Sequence, residues 1–208
     1  MVDDHLLPKH RVEALCDGIF AIVMTIMILE LKTPENLPKD MAQKDLPEYF
    51  FNLLPSIEAY IISFFVLGIF WLRHQIQFKH IVNVDRPILI INISFLMLTG
   101  FIPFTVGVLM KYPRSEFTFL IYVTNLILIS ILLTIQLKYI FTKKNISAET
   151  ISETDKRRYL KLSFIPVLIF ILAIIVSYFN VRAAFYIIYL DPIFYAFYHK
   201  FNLRYRKN

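Results

Sequence analysis

Residues 11–31 read RVEALCDGIFAIVMTIMILEL: an arginine, an Asp-Gly pair, then apolar or neutral side chains from Gly18 through Leu29. This stretch is long enough to cross about 30 Å of hydrocarbon as a helix. It also carries Asp17 near its start, where an ionised carboxylate in the hydrocarbon would cost roughly 2.5–3.5 kcal/mol. Asp17 therefore either sits at the headgroup level, complementing the helix dipole, or has a partner on a neighbouring helix.

The rest of the chain has the same character. Hydrophobic residues make up 57% of the 208, mean hydropathy is +0.58, and only four residues are glycine. This composition reads as an integral membrane protein. The N-terminal MVDDHLLPKHR lacks the basic start and small-residue cleavage site of a signal peptide. Cys16 is the single cysteine, so an intramolecular disulfide is excluded. The five histidines are scattered without metal-ligand spacing. Neither a metal site nor a cofactor is expected.

Hydropathy predicts an all-α protein, a single domain over 1–208 with six spans near 12–31, 50–72, 88–110, 117–138, 162–180 and 183–199. The last is short, aromatic-rich and interrupted by Asp191-Pro192. An even number of spans puts both termini on one side. With the N-terminus cytoplasmic, the inner segments hold sixteen of the 22 Lys and Arg, and the outer ones only Lys32, Lys39, Lys44, Lys111, Arg114 and Arg182. That bias follows the positive-inside rule. The net charge of +6 then reflects topology and attraction to membrane lipid, and nucleic-acid binding is not expected. The 32–48 loop is proline-rich, and the 139–161 loop has room for a short cytoplasmic helix. No internal repeat aligns the two halves, so a symmetric pore would need several copies of the chain.

At 100° per residue, Gly18, Ile22, Thr25 and Leu29 fall in a stripe roughly 60° wide, and Asp17 points about 110° away. Two readings of the stripe are open. It is an ordinary packing or lipid-facing surface, with Thr25 bonded one turn back in its own helix; or it faces a symmetry axis. In the second case Ile22 and Leu29 form hydrophobic rings that expel water, and Thr25 forms a hydroxyl ring that replaces part of a cation's hydration shell. Further polar groups recur in the next two spans. Trp71 and His74 share a face, with Phe78 one turn on, and Asn92 interrupts an apolar run where its amide needs a partner.

Arg11-x-x-x-Leu-Cys-Asp17-Gly18 resembles the RxxxFSDG signature of the transmembrane protein 175 family of potassium channels. Trp71-x-x-His74-x-x-x-Phe78 resembles the family's second-helix pattern, and Asn92, Leu96 and Pro103-Phe104 its third. The matches cover about residues 11–104; the second half agrees only in span count. Leu15 stands where Phe is usual and Cys16 where Ser is usual, which replaces a strong hydrogen-bond donor with a weak one. The resemblance implies a single six-helix repeat that forms a homotetramer around its first helices. It implies a pore constriction at Ile22, a contribution of Thr25 to cation preference, a further ring at Leu29, and Gly18 as a small pore-lining residue. It also implies a structural polar network of Arg11, Asp17, Trp71, His74 and Asn92. Potassium ions and lipid are then the partners, and a prokaryotic plasma membrane the location.

Thr105-Val106-Gly107-Val108 looks like the start of a carbonyl potassium filter. Its Tyr-Gly half is missing, however, and the segment closes a membrane span. A secondary transporter would show broken helices or an inverted repeat, and only Asp191-Pro192 hints at a break. An enzyme would need convergent catalytic groups, and Asp17, His74 and Asp191 lack a nucleophile or metal. Proton permeation and a non-transporting accessory subunit stay open.

Overall fold

The computed structural model describes residues 8–31, 42–143 and 152–196, and the elements in these segments are helices joined by short turns. Helix α1 spans Lys9–Ile26 and tightens into a 3-10 turn at Met27–Glu30. Helix α2, Ala42–Phe78, is about 55 Å long at 1.5 Å per residue. Then follow α3 (Arg86–Gly100), α4 (Ile102–Lys111), α5 (Glu116–Thr142), α6 (Glu153–Ser163), α7 (Ile165–Ser177) and α8 (Val181–Ile188).

Local chemistry sets these boundaries. Asp85 caps α3 by accepting from the Ile88 amide, Ser152 caps α6 through the Asp155 amide, and Asn180 caps α8 through the Ala183 amide. The third span bends at Phe101 and the fifth at Phe164, and a proline follows each joint by two residues (Pro103 and Pro166). Proline has no N–H to continue the ladder, so each span becomes two helices end to end.

Among the described residues five helical stretches are long and apolar enough to cross a membrane: Lys9–Glu30, Leu46–Phe78, Arg86–Lys111, Glu116–Thr142 and Glu153–Ser177. The expected sixth span differs. Helix α8 has only eight residues, about 12 Å, before a break at Tyr189, and helix resumes over 190–196. The end of the expected 183–199 span lies outside the described residues. The expected short helix of the 139–161 loop is α6, and it runs almost directly into α7.

Helix α5 is the centre of the protomer, packed against α3, α4 and α7, and α8 hairpins back onto α7. Helix α1 lies at one edge, against α2 and α3. The main core joins all these helices through Phe20, Phe70, Phe95, Val106, Tyr122, Leu133, Phe170 and Ala184. The chain is thus an all-helical, multi-pass membrane protein.

Candidate functional site

Helix α1 has two opposed faces. Val12, Cys16, Phe20, Val23 and Met27 are buried, and their spacing of three and four residues makes one continuous stripe. Roughly 150° around the helix, at 100° per residue, lie Gly18, Ile22, Thr25 and Leu29, all exposed. Ile22 is 57% exposed and Leu29 is 74%. Nothing lies within 4 Å of where a Gly18 side chain would begin. Leu29 falls in the 3-10 turn, so an ideal α phase places it only approximately. The Thr25 hydroxyl lies 2.9 Å from both the Ala21 and Ile22 carbonyls of its own helix.

Helix α1 is tied to α2 and α3 by two sets of polar contacts, one at its exposed flank through Asp17 and one on its buried face through Cys16. In the first, Asp17 Oδ1 accepts from the indole N–H of Trp71 at 2.8 Å and from the Gln75 amide at 2.6 Å. Trp71 and Gln75 sit one turn apart on α2, so both donors converge on one oxygen. In the second, His74 Nε2–H donates to Asn92 Oδ1 at 2.8 Å, and the Cys16 thiol donates to the same oxygen at 3.4 Å. The imidazole is fully buried. It stacks on Phe78 at 4.1 Å between centroids and lies parallel to Phe95 at 5.4 Å. His74 and Asn92 are therefore interior members that fix α1, α2 and α3 to one another.

Arg11 is exposed on α1. Among the described residues no hydrogen bond or ion pair joins it to Asp17. Nor does His74 bond Asp17 directly; it reaches Asn92 and Cys16 instead. The polar residues picked from sequence thus form a Trp71–Asp17 pair and a His74–Asn92–Cys16 group on adjacent turns.

Sequence reasoning missed three participants. Gln75 is a neutral amide next to two more conspicuous residues. Arg73 reads as a loop charge just past the expected end of the second span. In the structure it is 8% exposed within α2, and its guanidinium donates to the Ser163 carbonyl at 3.1 Å. Gly107 sits against the carboxylate of Glu30; its place beside the filter lookalike gave no hint of that. Among the described residues no group of three His, Cys, Asp or Glu could hold a metal ion.

Comparison with known proteins adds to this geometry. The sequence profile of the family described as "Endosomal/lysosomal potassium channel TMEM175" matches residues 11–103, the segment that contributes all of these anchor residues. A potassium channel of Streptomyces collinus is 36% identical over 110 residues, covering 51% of this chain and 50% of that protein. A human protein named endosomal/lysosomal proton channel TMEM175 is 32% identical over 121 residues, covering 53% of this chain and 23% of its own length. This chain thus spans about half the length of its bacterial relative and less of the human one. In fold the likeness is wider. The crystal structure of a lysosomal potassium-selective channel TMEM175 homologue from Chamaesiphon minutus superposes with a TM-score of 0.78, at 24% identity, over 91% of this chain and 96% of that one. The first half of the chain is thus similar in sequence to the TMEM175 family, and nearly its full length shares the fold of the Chamaesiphon minutus channel.

Proposed function

We propose that the chain is the protomer of a potassium-permeable cation channel, a homotetramer in a prokaryotic plasma membrane with both termini cytoplasmic. The first helices surround the axis. The observation that carries this reading is the state of α1. Of its apolar window 28% is buried, against 33% to 56% in the other four spans. Its outward face is a row of apolar side chains with one hydroxyl, and its inward face is bolted down by polar contacts that a merely lipid-facing helix would not need.

Around a four-fold axis, Ile22 would form the narrowest ring. A narrow ring of branched alkyl groups expels water and so blocks hydrated ions until it widens. Thr25, one turn on, supplies an oxygen to a partly dehydrated cation. Selectivity then comes from side chains and not from backbone carbonyls. The Trp71–Asp17 and His74–Asn92 contacts hold the helix at its working angle. The relatives named potassium channels support the ion assignment.

The test is flux of potassium and sodium through purified protein in liposomes, with crosslinking to count subunits. Potassium flux linear in concentration from a tetramer is expected. Flux that saturates with substrate would overturn the channel reading in favour of a carrier, and a monomer would overturn the axial pore. Proton permeation is the second reading, favoured by the relatives from cattle and human named proton channels.

A further inference from the structure

Helix α6 is a cationic helix joined end to end to a membrane span. Its 11 residues carry Lys156, Arg157, Arg158 and Lys161, with Glu153 and Asp155 kept to the first turn. Lys156 is engaged by Glu153 at 2.7 Å. Among the described residues no ion pair or hydrogen bond engages the side chain of Arg157, Arg158 or Lys161, and all three are exposed. They share an open cleft of about 520 Å³ with Glu153, Thr154 and Leu162. Arg157 and Lys161 are one turn apart, so their β-carbons lie about 5–6 Å from each other. That spacing lets both side chains reach a single phosphate.

The opposite side of α6 is held by protein. Tyr159 makes ring contacts with His80 and Phe141, at 6.4 and 6.2 Å between centroids. Where α6 gives way to α7, the Ser163 carbonyl accepts from Arg73 on α2 and from Thr134 on α5, each at 3.1 Å. The cations are therefore carried on a fixed helix. Beyond the joint the outward side turns apolar: Phe164 is 52% exposed and Leu168 is 61%. At 100° per residue, Arg157, Lys161, Phe164 and Leu168 fall within about 60° of arc. One strip of surface thus passes from cations to hydrocarbon. Along the helix Lys161 stands about 4.5 Å and Arg157 about 10 Å before Phe164. The headgroup layer on each side of a bilayer is about 5–8 Å deep, and the long stems of Lys and Arg bring their charges into it.

The packing runs from α1 to α3, from α3 to α5 and from α5 to α7, so in the proposed assembly this strip lies at the rim, toward lipid. We propose that α6 and the start of α7 bind an anionic phospholipid. Arg157 and Lys161 hold the headgroup phosphate, Arg158 flanks it, and Phe164 and Leu168 lie along the acyl chain. A guanidinium can give a phosphate two parallel N–H bonds. The acid in the cleft, Glu153, is already neutralised by Lys156. A zwitterionic lipid offers the same phosphate but brings its own cation, which three unpaired positive charges repel. The proposed orientation puts the site in the cytoplasmic leaflet, where basic clusters at the membrane surface attract anionic lipid; the binding itself does not depend on that orientation.

The test counts lipids on the protein. Full-length protein purified in detergent is titrated with phosphatidylglycerol or with phosphatidylcholine of the same acyl chains, and bound lipids per protomer are read by native mass spectrometry. Phosphatidylglycerol is expected to bind at least fivefold more tightly. Arg157→Gln with Lys161→Gln is expected to abolish that preference and leave phosphatidylcholine binding within twofold, whereas Arg157→Lys with Lys161→Arg keeps the preference. Removing two charges at the opposite end of α5, by Lys111→Gln with Arg114→Gln, also keeps it. No preference in the wild type, or a preference that survives Arg157→Gln with Lys161→Gln, would overturn the site. So would equal losses in the two glutamine pairs, the mark of a net-charge effect. Displacement of the lipid by equimolar inorganic phosphate would leave only a simple anion site. An amine-reactive crosslink joining Lys161 of two copies would show the strip covered by protein, and would overturn the lipid as its occupant. None of these readouts involves ion flux, so a protein that passes no ions would overturn the channel reading and leave this one standing.

Discussion

Gly107 on α4 faces the carboxylate of Glu30 so closely that a β-carbon at residue 107 would overlap the Glu30 Oε2 and Cδ atoms. Glu30 closes the 3-10 turn at the end of the first helix, so the missing side chain at 107 makes the notch in which that end is seated. Exchanging glycine for alanine inside a helix ordinarily stabilises by about 0.5–1 kcal/mol. Overpacking costs about 1–3 kcal/mol. The clash wins here, although a swing of the flexible Glu30 side chain keeps the cost at the low end. Gly107→Ala is therefore expected to lower the melting temperature in detergent. In a Glu30→Ala background the same exchange becomes neutral or stabilising. An equal loss in both backgrounds would show that the notch does not exist for Glu30.

Ile22→Asn places an amide where the apolar ring would exclude water, and is expected to raise ion flux in liposomes severalfold. Unaltered flux would remove Ile22 from the constriction. Thr25→Ala deletes the only hydroxyl on the exposed face of α1. It is expected to reduce the potassium-over-sodium permeability ratio; if the ratio is retained, selectivity arises elsewhere.

His74→Ala leaves the Asn92 carbonyl oxygen with only the weak Cys16 thiol donor and empties the space between Phe78 and Phe95. A large-to-small change in a packed core costs about 2–5 kcal/mol. The expected outcome is weaker assembly or altered gating with ion preference intact, read from crosslinking yield and from the permeability ratio. A variant that assembles normally and differs only in ion preference would contradict this.

Cys16→Ser exchanges a weak donor for a strong one toward Asn92 Oδ1. A net hydrogen bond of this kind contributes about 0.5–1.5 kcal/mol, and the smaller oxygen leaves little void. Thermal unfolding of the serine variant should therefore start at a higher temperature than that of the wild type. A drop would mean that the packing of sulfur among α1, α2 and α3 matters more than its bond.

Much of the fold was legible because a bilayer demands long apolar helices, and the run from Gly18 to Leu29 meets that demand without ambiguity. The direction of Asp17 was also legible, since helical phase alone turns it toward a neighbour. Its partners were not. Phase says where a side chain points but not which donor on another helix will reach it, so Gln75 went unseen beside Trp71. Arg73 was misplaced for a different reason. Hydropathy ends a span at the first cation, whereas the structure keeps the helix going to Phe78 and gives one guanidinium nitrogen the Ser163 carbonyl. That carbonyl lies at a proline joint between two other helices, a tertiary fact with no local signature. In the last span the interruption was legible at Asp191-Pro192, and the structure sets the break two residues earlier, at Tyr189, with Asp191 buried.

The hydroxyl of Thr25 spends its hydrogen on its own helix. What it turns outward is therefore lone-pair density alone. In the proposed assembly four such oxygens would face one another with no proton to offer a passing ion. An anion would find nothing there to donate to it, while a cation would find four acceptors. In that assembly the sign of the permeant charge would be selected by one hydrogen bond within the helix, before size or hydration enters.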